Sequence, residues 1–414
     1  MKVLNRQTGK IPSGAHGKCN ESADVRKESI QRNLPLNSGQ SAQFLRVLFA
    51  VDSRFPGLGG AESQALKLAL ALREQGAYVE FVTPRVQPSQ PMVERYHGFI
   101  VRRIDYPHVR WLGSLAVMMR FARYLLDNDH RFDAVHVHIT HLLAAAAGFA
   151  SSRLSMSVTT KVSGFYEFEG GVLDPATRFK PLNILIRRGV KKVDFVQTIS
   201  AQTQDKLLHA GFRASQIRFV PNGIDTRLVP RELPTTDIIR IGYCGRLRVV
   251  KGVHVLIAGF ARLKAAYPEK NFILTIAGSG SEQTALEEQA ATLGIDDHID
   301  WQGLIQDTVS FYHSIDIYVQ PSFAEGLPNS VMEAMVAQRV VVASDIGGNT
   351  DLVKNGDNGL LFDAGDDIAL ADQLARLVCD PELSHRLALR GRQSIEERYC
   401  LQAVTRQLAE LYLA

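Results

Sequence analysis

The sequence contains little cysteine, and its few cysteines lie far apart. Among 414 residues there are four, Cys19, Cys244, Cys379 and Cys400. This spacing provides neither a paired zinc motif nor the disulfide framework that stabilises small secreted domains. We therefore expect reduced thiols, as in a cytoplasmic protein.

Long apolar runs and a strong charge of either sign are also lacking. No run approaches the about 18 apolar residues that a membrane-spanning helix requires, and the N-terminus lacks the apolar core of a signal peptide. We expect neither a membrane span nor export. The net charge of +4 is too small to indicate nucleic-acid binding. What remains is an ordinary globular composition, with 45% hydrophobic and 22% charged residues.

The length of the chain and its changing pattern predict two domains. A chain of 414 residues exceeds what one hydrophobic core usually supports. Residues 1–44 are polar, which predicts a disordered tail. Apolar runs then alternate with amphipathic helical patterns over 45–226 and again over 238–385. The segment 227–237 is predicted as a linker, and 386–414 as a C-terminal helix that packs back toward the first domain.

Strands rich in Val, Ile and Phe that alternate with helices indicate parallel sheets covered on both faces. We expect an α/β fold in which two Rossmann-like, doubly wound domains face a cleft lined by the carboxyl ends of strands. The strands are predicted at 46–51, 77–83, 133–139, 157–163, 194–200 and 217–223, and then at 238–245, 271–280, 298–303, 315–322, 339–347 and 359–365.

In each predicted domain, a glycine-containing loop follows the first strand. In "DSRFPGLGGAES" (52–63), Gly59 and Gly60 permit close approach of a ligand at a helix start, and a tight turn without a ligand explains them equally well. In "YCGRLRVVKG" (243–252), Arg246 and Lys251 follow Gly245 beside a helix start, which indicates a diphosphate site. The alternative is a pair of solvated surface cations.

Two further loops of the second domain carry glycines after a strand. Gly278 and Gly280 lie in "IAGSGSE", where they shape a pocket wall or form a plain turn. Gly347 and Gly348 lie in "SDIGGNTD", another loop of close approach.

The stretch "AEGLPNSVMEA" (324–334) places two carboxylates around a helix start. Glu325 lies on the loop and Glu333 about a turn inside the helix, with Asn329 near the N-cap. Two such acids can accept hydrogen bonds from hydroxyl groups on two rings of one ligand. An exposed loop acid remains the alternative for Glu325, whereas a helix ion pair is a weak alternative for Glu333 because no Lys or Arg lies three or four positions away.

From about residue 46 to the C-terminus, the chain resembles family 4 of the retaining, nucleotide-sugar-dependent glycosyltransferases of GT-B fold. The motifs that carry the resemblance are "CGRL…KG", "EGLPNSVMEA" and "DIGG". The resemblance implies transfer from a UDP- or GDP-sugar to a saccharide or lipid-linked acceptor, without a metal, a cofactor or a protein nucleophile. It implies that Arg246 and Lys251 clamp the donor diphosphate, that Glu333 binds the ribose and that Glu325 contacts the transferred sugar. The other implied donor-site residues are Gly59, Gly60, Gly245, Gly278, Gly326, Leu327, Asn329 and Ser330.

The sequence departs from the family at a histidine that many members carry after the fifth strand of the first domain. That stretch reads "VTTKVSGFYEFEGG" (158–171), and Lys161, Ser163 or Gly164 occupies the expected place. We expect Ser163 and Gly164 on the acceptor or sugar pocket. His138, which shares a strand face with His136, is expected to line the same pocket, while His136 is expected to be buried. In "GGNTD" the family often has a proline and a glutamate, so the role of Asp351 stays open.

A basic amphipathic stretch at 178–192 allows two interpretations. It either contacts the inner face of a membrane or covers the sheet with a solvated basic face. Alternatives to the transferase are a non-catalytic nucleotide-sugar-binding protein, and a sugar-nucleotide epimerase or a phosphorylase on the same architecture.

Overall fold

The computed structural model describes residues 44–57, 59–227 and 237–414. Residues 1–43 of the tail that is expected to be disordered (1–44) lie outside the described residues. Residues 228–236 of the predicted linker also lie outside them.

In the N-terminal domain, strands and helices mostly alternate, but the second, third and fourth strands follow one another. The strands are β1 (Arg46–Val51), β2 (Tyr78–Pro84), β3 (Val93–Tyr96), β4 (Phe99–Ile104), β5 (Ala134–His138), β6 (Ser157–Val162), β7 (Phe195–Thr198) and β8 (Ile217–Phe219). The helices are α1 (Gly60–Glu74), α2 (Arg110–Asn128), α3 (Leu142–Ala150), α4 (Phe165–Phe168), α5 (Pro181–Val190) and α6 (Ala201–His209).

The C-terminal domain repeats the alternation. Its strands are β9 (Ile238–Cys244), β10 (Asn271–Ala277), β11 (Ile299–Gly303), β12 (Ile317–Gln320), β13 (Val340–Ser344) and β14 (Leu360–Phe362). The helices that follow β9 are α7 (Val253–Ala266), α8 (Gln283–Thr292), α9 (Thr308–His313), α10 (Asn329–Val336), α11 (Gly347–Thr350), α12 (Asp367–Cys379), α13 (Pro381–Arg398) and α14 (Leu401–Tyr412).

Each domain contains one sheet with the order of a doubly wound fold. The described strands form an eight-stranded sheet, β3-β4-β2-β1-β5-β6-β7-β8, and a six-stranded sheet, β11-β10-β9-β12-β13-β14. All neighbouring strands are parallel except the β3–β4 pair, which is antiparallel. This arrangement confirms the predicted pair of Rossmann-like domains.

The strand order fixes where a ligand can bind. In an open α/β sheet the binding crevice lies outside the carboxyl ends of the strands where the winding direction reverses. The reversal lies between β1 and β5 in the first sheet and between β9 and β12 in the second. The loops after these four strands therefore meet at the cleft, and two of them carry the predicted motifs around Arg246 and Glu325.

The last helix belongs to the N-terminal domain. The stretch 386–414, expected as one helix, is divided at Tyr399 and Cys400 between α13 and α14. Helix α13 packs on the C-terminal domain, whereas Val404, Leu408 and Leu411 of α14 join the core of β1 and α1. The division lies where the chain crosses between the domains. At this point the backbone N–H of Ile224 donates to the backbone oxygen of Tyr399, and the backbone oxygen of Ile224 accepts from the backbone N–H of Leu401.

Strands β3 and β4 were not predicted. They form a hairpin at the edge of the first sheet, joined by His97 and Gly98, which have φ of +48° and +83°. None of the described helices is long and apolar enough to cross a membrane.

Candidate active site

A cavity of about 770 Å³ lies between the two domains. Its wall is formed by the loops after β1, β5 and β6 on one side and by those after β9 and β12 on the other. The cavity thus occupies the position that the strand order predicts.

The first cationic group comes from the loop after β9. Arg246 is exposed and lines the cavity, and the Tyr243 hydroxyl donates to its backbone oxygen at 3.0 Å. Lys251 ends a short 3₁₀ helix and is followed by Gly252, which has φ of +65°. A side chain at Gly252 would collide with the backbone oxygen of Pro321 at 2.0 Å, so glycine permits this loop to lie against the loop after β12.

Lys251 and Glu325 form an ion pair across these two loops. Lys251 Nζ lies 2.6 Å from Glu325 Oε1, and the two side chains are only 17% and 10% exposed. The same oxygen accepts hydrogen bonds from Gln320 Nε2 and Ser322 Oγ, each at 2.7 Å. None of the described residues donates to Oε2. The structure therefore holds Glu325 by one oxygen and leaves the other for a ligand.

The start of α10 lies between the two predicted acids. Gly326, Leu327, Asn329 and Ser330 all line the cavity, and Ser330 Oγ donates to Gln320 at 2.9 Å. Helix α10 has Pro328 as its N-cap without a side-chain cap. Because the first N–H groups of a helix have no partner within it, they form an anion site at this end.

Glu333 is held by one residue from each domain. Lys67 Nζ of α1 lies 3.0 Å from Glu333 Oε1, and the Tyr312 hydroxyl donates to Oε2 at 3.2 Å. No Lys or Arg lies three or four positions from Glu333 on its own helix, and the cationic partner Lys67 comes from across the cleft. Burial and, secondly, Glu333 raise the pKa of the neighbouring Cys244 thiol to about 12.

The predicted glycines divide into two groups. Gly59, Gly60 and Gly245 line the cavity, with Gly59 as the N-cap of α1. Gly278 does not belong to the wall: it has φ of +145°, and a side chain there would meet the Gly245 backbone oxygen at 1.8 Å. It therefore supports the loop that carries Gly245 from behind. Gly348 similarly packs against the backbone of Glu325. A Cβ atom at position 348 would lie 2.6 Å from the Glu325 backbone oxygen.

Ser163 and Gly164 lie where the two domains touch. Ser163 lines the main cavity, and Gly164 lines a smaller one of about 210 Å³ on the other side of Glu325. A side chain at Gly164, which has φ of +125°, would lie 2.5 Å from the Cα of Gly326. A second contact joins the domains at Asp351, whose Oδ2 accepts from the backbone N–H of Ala201 at 3.2 Å.

Metal-binding groups are not clustered in the part of the chain that the structure describes. There, no three His, Cys, Asp or Glu side chains are grouped closely enough to hold a metal ion.

The sequence matches two family models, one for each domain. The model of glycosyl transferases group 1 matches residues 229–394, and that of the glycosyl transferase 4-like domain matches residues 59–223. The chain belongs to the group 1 glycosyltransferases. A glycogen synthase of Mycobacterium tuberculosis is 29% identical over 304 residues, which cover 72% of this chain and 72% of the relative. The putative glycosyltransferase EpsD of Bacillus subtilis is 24% identical over 340 residues, 79% of this chain and 87% of EpsD.

Solved structures confirm the GT-B fold of this glycosyltransferase. The structure of Anabaena Alr3699/HepE in complex with UDP matches with a TM-score of 0.72 at 21% identity. The match covers 89% of this chain and 99% of HepE. At this identity the likeness concerns the fold alone.

Of the two histidines on β5, His136 is buried as the sequence predicted, whereas His138 is not placed as predicted. His138, expected on the pocket wall, is 1% exposed and stacks on His136, with ring centroids 4.3 Å apart. Burial, reinforced by His136, lowers the pKa of His138. His138 is the last residue of β5, and its side chain points into the core beside Phe49.

The histidine that does line the cavity is His141, in the loop after β5. Its Nδ1 lies 3.7 Å from Oδ2 of Asp52, a buried carboxylate that also accepts from the backbone N–H of Leu143 at 2.9 Å. Burial raises the pKa of Asp52, and the nearby His141 counteracts this effect. Neither residue was predicted, although both follow a strand end at the reversal point. Ile139 in the same loop has φ of +76°, a conformation that is costly for a β-branched residue and is often found at functional sites.

Proposed function

We propose that this glycosyltransferase is a retaining hexosyltransferase. It takes the sugar from a UDP- or GDP-sugar and delivers it to a saccharide or lipid-linked acceptor in the synthesis of a polysaccharide or glycoconjugate. The observation that carries the proposal is the state of Glu325, whose Oε1 is occupied by three donors while none of the described residues donates to Oε2. A carboxylate held in this way accepts hydrogen bonds from sugar hydroxyls in a fixed direction.

The cations around Glu325 support transfer from a diphosphate donor. Breaking the bond between the sugar and the diphosphate leaves negative charge on the leaving group. Arg246, Lys251 and the first turn of α10 line one cavity and provide fixed positive potential for that charge. We propose that they supply the stabilisation without a metal ion, and that no cofactor takes part.

We propose that Glu333 binds the ribose of the donor. It lies one turn inside α10, and both of its oxygens hold hydrogen-bond donors, Lys67 and Tyr312, that ribose hydroxyls would replace or join. UDP is the first nucleotide to test, because the HepE structure contains it and a second HepE structure contains UDP and glucose.

The experiment is a panel of UDP- and GDP-sugars, first for binding by calorimetry and then for transfer to oligosaccharide and lipid-linked acceptors, with EDTA present. We expect binding of one nucleotide series and a product whose anomeric configuration, read by NMR, equals that of the donor. Glu325→Ala should abolish transfer, while Glu287→Ala, an exposed acid on α8, should not change it. An inverted product, or activity that EDTA removes, would refute the retaining, metal-independent mechanism.

A non-catalytic nucleotide-sugar-binding protein is the second candidate, and the missing family histidine is the observation that favours it. The stretch 158–171 contains no histidine, and Lys161, Ser163 or Gly164 occupies the place where many family members have one. If this candidate is correct, the wild-type protein binds a nucleotide sugar but neither hydrolyses nor transfers the sugar with any acceptor class.

We also propose that the enzyme works in the cytoplasm and touches the inner face of the membrane through 178–192. Phe179 in this stretch is 75% exposed, and Arg188 is exposed, whereas Arg187 is turned inward to the backbone oxygen of Val172. Sedimentation with anionic liposomes tests the contact. We expect binding that Phe179→Ser with Arg188→Ser removes, and no binding of wild-type protein at low salt would refute it.

A further inference from the structure

Lys161 is a buried cation at the edge of the donor cavity that the proposed mechanism does not use. It lies near the end of β6, is 3% exposed and lines the cavity from the N-terminal side. Burial of an ammonium group costs free energy unless the group is paired. Lys161 therefore requires an explanation beyond the strand that carries it.

The partner of Lys161 is a neutral amide. Lys161 Nζ donates to Asn222 Oδ1 at 2.7 Å, and in the described part of the chain no other side chain or backbone group hydrogen-bonds to this nitrogen. Burial lowers the pKa of Lys161 to about 8, and Glu167 opposes the shift through space without forming an ion pair. An ion pair for structural support would have used a carboxylate at position 222.

The hydrogen bonds that continue from Asn222 have one direction. Asn222 Nδ2 donates to Asn329 Oδ1 at 2.9 Å, and Gln64 Nε2 donates to the same oxygen at 3.1 Å. Because Asn329 Oδ1 accepts both bonds, its amide nitrogen is turned the other way. None of the described residues accepts a hydrogen bond from Asn329 Nδ2. This nitrogen lies near Gly60 at the start of α1, where a Cβ atom at position 60 would be 3.8 Å away.

We infer that Lys161 is a positioning residue of the donor site, which acts through Asn222 to hold the amide N–H₂ group of Asn329 toward the donor diphosphate. An ammonium group donates hydrogen bonds and accepts none. It therefore fixes the Asn222 oxygen toward itself, the Asn222 nitrogen toward Asn329, and the Asn329 nitrogen toward the cavity. The relay adds a side-chain donor to the N–H groups of the first turn of α10. This inference rests on the proposed function, since it assigns Asn329 to a bound diphosphate.

The opposite orientation would harm anion binding. Without a group that only donates at position 161, Asn222 is free to rotate and present its oxygen to Asn329. Gln64 Nε2, which also donates to the Gly223 backbone oxygen at 3.1 Å, is then the one described donor left on Asn329 Oδ1. The Asn222 oxygen that faces this oxygen favours a turned Asn329 amide. A turned amide loses one hydrogen bond to a charged group, which corresponds to about tenfold in affinity.

The test is calorimetric titration of the full-length protein with UDP and with GDP. We expect Lys161→Met to bind the preferred nucleotide about tenfold more weakly than the wild type, with a thermal midpoint that is not lowered because a buried charge has been removed. A residue with a merely structural role would lower the midpoint as well. Lys264→Met, in α7 outside the cavity, is the matched control and should bind as the wild type does.

Coupling between the variants makes the test specific. Asn329→Ala should weaken binding about as much as Lys161→Met, and the double variant should bind no more weakly than Asn329→Ala alone. Additive losses would refute the relay, as would equal affinity of Lys161→Met and the wild type. If Lys161→Met does not fold, Asn222→Asp replaces it in the test, because this variant keeps a partner for Lys161 and still turns Asn329. Asn222→Asp should weaken nucleotide binding when Asn329 is present. In the Asn329→Ala variant, the same change should have no further effect on binding. Wild-type protein that binds neither nucleotide would instead refute the proposed function.

Discussion

Replacement of Lys251 by methionine is expected to reduce both the stability and the turnover of this glycosyltransferase. The change keeps most of the length of the side chain and removes its charge. It leaves the Glu325 carboxylate, which is 10% exposed, with two neutral partners, Gln320 and Ser322. Loss of one member of a largely buried ion pair is costly because the remaining charge stays away from water.

The size of the effect follows from the geometry of the pair. Two unit charges 2.6 Å apart attract by about 6 kcal/mol at an effective dielectric constant of about 20 and by about 1.6 kcal/mol in bulk water. Since both side chains are mostly but not fully buried, we expect a coupling between these limits, at about 3 kcal/mol.

A double-mutant cycle measures this coupling directly. The free energy of unfolding is determined by denaturant titration for the wild type, Lys251→Met, Glu325→Gln and the double variant. The loss in the free energy of unfolding of the double variant should be smaller, by about 3 kcal/mol, than the sum of the losses of the two single variants. Steady-state kinetics of Lys251→Met should show kcat reduced by about a hundredfold, the usual cost of one charge-stabilising donor. A coupling below about 0.5 kcal/mol would refute the reasoning, because such a value is typical of exposed pairs.

Three further perturbations test the site. Gly164→Ala places a methyl group 2.5 Å from the Cα of Gly326, so kcat/KM should fall by about a hundredfold while circular dichroism stays unchanged; unaltered kinetics would show that catalysis does not need this approach of the domains. Glu333→Gln should weaken nucleotide binding by about tenfold in a calorimetric titration, and equal affinity would exclude Glu333 from the ribose site. Lys161 has a pKa of about 8 in the folded protein and 10.5 in the unfolded chain, so between these values the unfolded chain binds more protons and stability rises with pH. Relative to Lys161→Met, the wild type should gain up to about 3 kcal/mol between pH 7.5 and 10.5 in denaturant titrations, and a constant difference would contradict the assignment.

Most strands could be predicted from the sequence, whereas the hairpin of β3 and β4 could not. Every residue of Val340–Ser344 is buried because helices cover both faces of the sheet, and the apolar run at its start indicates a strand. Strand β4 alternates buried and half-buried residues over most of its length, and β3, the outermost strand of the sheet, has no buried residue. The dipeptide His97–Gly98 between two alternating runs was the available signal for this hairpin.

The loops of the site were predictable where one local segment carries the function. Arg246, Lys251 and Glu325 each follow a strand end, so their convergence could be expected from the sheet order alone. The partner of Glu333 could not be found, because Lys67 comes from the other domain and no local pattern specifies how two domains meet. His138 was misplaced for a different reason: a residue on the last position of a strand still faces the core, and only residues beyond it, such as His141, reach the cleft.

The crossing of α14 to the N-terminal domain limits how this protein can be dissected. A fragment that ends at residue 226 would leave the core around Leu68 and Leu72 uncovered where Val404 and Leu408 pack. A fragment that begins at residue 238 would carry α14 as an apolar helix with nothing to cover it. No single cut therefore yields two intact halves. A circular permutation that joins residues 401–414 to the start of β1 would keep the N-terminal domain whole, and the two domains would then become separable for the first time.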